Sequence, residues 1–158
     1  MKKIYLLLLI SNLAFSQTKK DATDYINYYF NGSNSFENYS GGFTYNSFNN
    51  SIKFTSERTI SNPMDNKIIG SFSENCLFNL SNIKSIDFKT MLINGKYNII
   101  IQVYLYEDVY RESLNKKTGN LPINNSKNTS FLAFSTDKQL SENDLESFKN
   151  AVLFLMKK

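Results

Sequence analysis

The sequence predicts an α+β fold, with an N-terminal helix, about seven antiparallel strands forming a barrel or a strongly bent sheet, and a C-terminal packing helix. Three patterns predict it. Ala22, Tyr25, Ile26, Tyr29 and Phe30 near one end, and Leu145, Phe148, Val152 and Leu155 near the other, recur at helical spacing. Between them apolar and polar residues alternate in short runs divided by turn residues, the period of half-buried strands. Within that region Asn94-Gly95 joins two long alternating runs, and Asn-Gly supplies the positive φ that a tight hairpin turn requires.

The first helix has Thr18 and Asp21 as a capping pair, Lys19, Lys20, Asp24 and Asn27 on its wet side, and Asn31-Gly32 as its stop. Residues 32–42 are polar and turn-rich and read as a loop. Phe43 and Tyr45, a turn at Asn49-Asn50, then Ile52 and Phe54 make a hairpin with one wet face, broken at Ser61-Asn62-Pro63. Residues 68–73 and 76–80 read as two shorter strands separated by the polar Glu74-Asn75. Cys76, Phe78 and Leu80 share a face, which makes Cys76 a core residue.

The hairpin around Asn94-Gly95 has arms at 85–92 and 97–106. Ile86, Phe88, Thr90 and Leu92 line one face of the first arm, and Tyr97, Ile99, Ile101, Val103 and Leu105 one face of the second. The other face of the second arm carries Asn98, Ile100, Gln102, Tyr104 and Tyr106, a polar and aromatic set. Residues 115–128, with three lysines, a glycine and Pro122, read as a long loop, and 131–135 as a short strand. Ser141 and Asp144 form a capping box for the last helix, Leu140 and Leu145 a hydrophobic staple, and Ala151 joins its apolar stripe. Lys157 and Lys158 suit the negative end of its dipole.

Seven strands followed by a C-terminal helix resembles the pleckstrin-homology-like split barrel, in which that helix plugs one open end. The resemblance is one of element order over residues 43–156 and implies no ligand and no binding residue. The general look also resembles small exported bacterial domains.

Lys2 and Lys3, an apolar run over residues 4–10, and the small residues of Ala14-Phe15-Ser16 have the arrangement of a cleavable export signal. The apolar run is interrupted by Ser11 and Asn12 and falls short of the ~20 residues a membrane span needs. Cleavage after Ser16 leaves residues 17–158 as a single domain in the periplasm or outside the cell, with no membrane span. Lys2 and Lys3 supply two of the four net positive charges, so the mature chain carries only +2 and has no electrostatic case for nucleic acid. The many Asn and Ser residues look like the imprint of an AT-rich bacterial genome, and the Asn-x-Ser matches at Asn31 and Asn38 follow from composition.

Absent residue types restrict the chemistry. The chain has no histidine, which removes Ser-His-Asp and Cys-His nucleophilic pairs and histidine-based zinc sites. It has one cysteine, so no intramolecular disulfide forms. There is no glycine-rich phosphate loop and no calcium-type series of aspartates, so no cofactor and no metal is implied. Carboxylate chemistry survives: Glu107, Asp108 and Glu112 lie close together in the sequence and could serve a glycan-acting enzyme. A solvated strand end is the competing reading of the same three residues. Tyr104, Tyr106 and Tyr110, with Arg111 beside them, are the candidate contact surface, because exposed tyrosines stack on sugars and peptides. A non-catalytic binding module for a protein or glycan is therefore favoured over a carboxylate enzyme, with a protein-binding inhibitor or immunity-type partner third. Mass spectrometry of the protein from its native host should find a chain beginning at or near Gln17; an intact chain beginning at Met1 would refute the export reading.

Overall fold

The computed structural model describes residues 18–33, 37–62, 64–65, 67–117, 122–136 and 138–157. The export segment, Pro63, part of the 115–128 loop and Lys158 lie outside them. Among the described residues the fold is α+β. Helix α1 (Lys19–Asn27) runs into a 3₁₀ turn (Tyr28–Phe30), and helix α2 (Glu142–Leu155) closes the chain. Between them lie β1 (Gly32–Ser33), β2 (Glu37–Asn46), β3 (Ser51–Ser61), β4 (Ile68–Asn79), β5 (Ile83–Ile93), β6 (Lys96–Lys117), β7 (Ile123–Asn124) and β8 (Lys127–Ser135).

All strand pairs are antiparallel, in the order β1-β2-β3-β4-β6-β5, with β7 and β8 also on β6. β1 and β5 end the path without pairing to each other, so the sheet is open. The 22 residues of β6 organise it. Its first half pairs with β5 from Ile83↔Leu105 to Ile93↔Lys96, and its second half pairs with β4 from Cys76↔Arg111 to Gly70↔Lys117. A 3₁₀ turn (Leu80–Asn82) hands β4 over to β5 along that edge, while β8 follows the opposite edge. At the handover the Asn82 side chain stands in for a strand: Glu107 N–H donates to its Oδ1 at 2.8 Å, and its Nδ2 donates to Glu107 O at 3.0 Å.

The expected signals set the local structure. Thr18 and Asp21 form the capping box of α1, and at α2 the Asp144 N–H donates to Ser141 Oγ at 3.3 Å. Asn94 and Gly95 take φ of 51° and 75° between Ile93 and Lys96, the two positive values of a two-residue hairpin turn. Asn50 does likewise in the loop from β2 to β3, with φ of 51°.

Four stretches depart from the sequence reading. Much of the loop expected over 32–42 is strand, because β2 pairs with β3 from Glu37↔Ile60 onward and backbone hydrogen bonds do not need apolar side chains. Gly41 permits this pairing, since a Cβ there would meet the backbone carbonyl of Thr55. β4 is continuous through Glu74-Asn75, because Arg111 on β6 compensates the Glu74 carboxylate. β6 and β8 extend into the expected 115–128 loop as far as Lys117 and from Lys127. Finally, the first helix tightens to 3₁₀ after Asn27 and stops at Asn31, where expected, but with an extended backbone at φ of −127° rather than a left-handed cap.

The core forms from rows of side chains across the sheet. Phe43, Phe54 and Cys76 make one row, and Phe88, Ile101 and Phe134 another. Phe134 joins them, its ring centroid 4.4 Å from Phe54 and 5.1 Å from Phe43. Ala22 and Ile26 of α1, with Phe148, Ala151, Val152 and Leu155 of α2, close the other side. Burying each phenylalanine contributes roughly 1.5–3 kcal/mol. Cys76 is buried as expected, and burial, aided by Glu74, pushes its thiol up to about 12, so it stays protonated and poorly nucleophilic. Among the described residues no apolar side chain of β3 beyond Phe54, of β4 before Cys76 or of β6 after Leu105 is fully buried in the core, and only Val109 of these packs against it, half-buried. The sheet therefore runs on past its apolar core.

Helix α1 is fastened to the edge of β2 by side-chain amides. Phe43 N–H donates to Asn27 Oδ1 at 2.7 Å, and Asn27 Nδ2 donates to Phe43 O at 2.9 Å. Gly41 N–H donates to Asn31 Oδ1 at 3.1 Å, and Asn31 Nδ2 donates to Gly41 O at 3.0 Å and to Asn27 O at 2.6 Å. Gly42, with φ of 138°, leaves room for the Asn27 amide that any Cβ would overlap. Asn27→Ala leaves the Phe43 N–H and C=O without these partners and should cost about 1–3 kcal/mol in urea denaturation; an unchanged midpoint would show that the amide ladder is dispensable.

Candidate functional site

Alternation along β6 divides the residues expected to form a contact surface. Arg111 is opposite Cys76 in register and shares its face, whereas Tyr110 precedes it and points the other way. Tyr104 lies half-buried against Phe131, with ring centroids 5.1 Å apart. Tyr106 and Tyr110 are 64% and 60% exposed, and Leu77 of β4, one residue past Cys76, is 56% exposed on the face of Tyr110. Phe131 and Leu114 extend that apolar surface. Tyr104 and Tyr110 lie on either side of a register shift in the β6–β8 pairing, with Tyr106 between them in the stretch that separates the β5 and β4 pairings, while Arg111 turns to the face of Cys76.

Arg111 is committed to Glu74. Its Nη2 donates to Glu74 Oε2 at 2.7 Å, and its Nε lies 2.7 Å from Oε1 as a second ion-pair contact. Glu74 is 8% exposed and Arg111 26%, so the pair sits largely out of water. It stands where the apolar core stops, with Cys76 next to Glu74 on the same face. A charge in that place costs several kcal/mol to desolvate unless its partner is in contact. The two residues are 37 apart in sequence, so no local pattern links them.

The three acids close together in the sequence, Glu107, Asp108 and Glu112, are all exposed and lie on β6 just past its pairing with β5, which ends at Ile83↔Leu105. Glu107 is held through its backbone by Asn82. Glu112 accepts a long hydrogen bond from Asn75 Nδ2 at 3.5 Å and lines a shallow hollow of about 230 Å³ with Glu57 and Glu74. Among the described residues no group of three or more acids or cysteines is placed to hold a metal ion. No described helix is long and apolar enough to cross a membrane.

Two further concavities come from strands that sequence reasoning did not extend far enough. Hollows of about 450 and 470 Å³ share Phe72, one bordered by Arg111, Ser126 and Lys127, the other by Arg58, Asn115 and Lys117. A third, about 570 Å³, lies between α1 and β2 and is lined by Lys19, Asp24, Asn27 and Tyr45. There Lys19 Nζ lies 4.5 Å above the Tyr45 ring and donates to Lys157 O at 2.8 Å, so its charge is already satisfied within the fold. Partial burial lowers the Lys19 pKa.

Comparison with family models, with curated proteins and with solved structures returned no match. The surface therefore has to be read from its own chemistry. The Glu74–Arg111 pair gives a direct check of the face that is not available for contact. Arg111→Met should destabilise the fold by about 3 kcal/mol, near the lower end for a buried pair because Arg111 keeps some water. Glu74→Met combined with Arg111→Met should recover most of that loss in urea denaturation, while strictly additive losses would mean that the two side chains act independently.

Proposed function

We propose that this chain is an exported, non-catalytic binding module, and that its contact surface is the outward face of β6 around Tyr106 and Tyr110. The observation that carries the reading is the pair of largely exposed phenol rings, Tyr110 opposite Asn128 of β8 and Tyr106 in the short stretch between the β5 and β4 pairings, beside Glu107, whose backbone Asn82 holds. A side chain held on a rigid strand loses little further freedom on binding, and tyrosine offers a broad apolar face with a polar tip. The chemistry fits the apolar patches of a protein and the faces of sugar rings alike.

Composition supports the same reading. With no histidine and a buried, protonated Cys76, the chain lacks the usual nucleophile and proton shuttle. The surviving carboxylate alternative requires two acids facing each other across a cleft. Glu107 and Asp108 are instead exposed on the strand, and Glu112 shares its hollow with Glu57 and with Glu74, whose carboxylate is already held by Arg111. The export reading rests on the pattern of residues 1–16, and the pleckstrin-homology-like resemblance supplies no ligand.

Cross-linking in the native host, followed by titration of the captured partner, gives the test. Tyr106→Ala and Tyr110→Ala should each weaken binding at least several-fold, since truncating an aromatic anchor commonly costs about 2 kcal/mol or more. Thermal unfolding should stay nearly unchanged. A large loss of stability with unaltered binding would assign the tyrosines to packing, and glycan turnover abolished by Glu107→Gln or Glu112→Gln would establish the enzyme instead.

A further inference from the structure

Strand β5 is the last strand of the sheet: it pairs with β6 on one edge and, among the described residues, with nothing on the other. An unpaired edge presents a row of N–H and C=O groups that can template another strand. Along this edge Ile86 and Phe88 face the core but remain half-buried, so they are only partly covered by the chain's own fold. Asp87 and Lys89 point outward, are exposed, and make no ion pair among the described residues.

We propose that β5 pairs antiparallel with β5 of a second copy of this chain, about a two-fold axis at Phe88. The charge pattern selects both the partner and the register. With Phe88 opposite the partner's Phe88, Asp87 lies opposite the partner's Lys89 and Lys89 opposite the partner's Asp87, giving two symmetric cross-strand ion pairs. Moving the axis to residue 87 or 89 sets like charges against each other. Placing the axis between residues turns the outward face of one copy to the core side of the other, which half-buried Ile86 and Phe88 forbid. No other register pairs these two charges.

The same symmetry joins the partly covered edges of the two cores at Ile86 and Phe88. The usable edge is short, because the β5–β6 register shifts between Ile83 and Ser85. Strand-edge pairing alone buries little surface, so the dimer forms in proportion to concentration.

Analytical ultracentrifugation of the purified protein tests this. The mass should rise with concentration from one chain towards two and fall back in high salt. D87K and K89D, which change exposed residues, should melt at the same temperature as the parent yet weaken association on the order of tenfold, since each sets like charges opposite one another. D87K combined with K89D restores opposite charges in the same register and should restore the dimer. A monomer at every soluble concentration, a dimer indifferent to the single exchanges, or a double exchange that fails to rescue would each overturn the proposal.

Discussion

Backbone polar groups along an open sheet must find partners, and in this chain asparagine side chains supply them where strands do not. The amide of asparagine has the donor and acceptor of a peptide unit. Asn27 and Asn31 present theirs to Phe43 and Gly41 on the edge of β2, and Asn82 presents its own to Glu107 where β4 gives way to β5. The first two contacts also decide where α1 lies, because its last turn is tied to the sheet. With α1 in place, Ala22 and Ile26 reach the core and Phe30 packs edge-to-face on Phe43, 5.4 Å away. An abundance of asparagine that composition alone attributes to a genome therefore includes residues with defined structural work.

What was legible in the sequence was whatever rests on neighbouring residues. The capping pairs at Thr18 and Ser141, the apolar stripes of both helices, the Asn94-Gly95 turn and the core position of Cys76 all follow from spacings of a few residues. Longer-range compensation was invisible. Residues 37–42 look like a loop because their side chains are polar, yet β3 supplies their backbone partners. Glu74 looks like a strand break because its partner Arg111 lies on another strand. β6 looks as though it ends near residue 106 because its apolar alternation stops there, although its hydrogen bonding continues with β4.

The candidate surface was legible to a similar degree. Tyr106 and Tyr110 are exposed as a contact surface requires, whereas Tyr104 is half-buried against Phe131. The register shift between Tyr104 and Val109 interrupts the simple alternation that grouped them. Arg111, adjacent to Tyr110 in sequence, belongs to the opposite face, and there it neutralises a buried acid. Neighbours along a strand are on opposite sides of a sheet, so sequence proximity was the wrong measure of grouping. The concavities around Phe72 went unseen for a related reason, since they need the far ends of three strands to be paired first.

The sheet that outruns its core has a dynamic consequence. Near Ile101 and Val103, β6 is covered by the Phe134 cluster, and its hydrogen bonds can break only when the domain opens as a whole. Beyond Arg111 the same strand is held by backbone pairing and polar contacts, without a buried apolar layer. Local openings cost least where few apolar contacts are lost. Amide protons along one continuous strand therefore divide into a slowly exchanging half and a quickly exchanging half, with the Glu74–Arg111 pair at the boundary. One strand thereby belongs to two cooperative units, and its outer part can open and re-form while the helices stay packed.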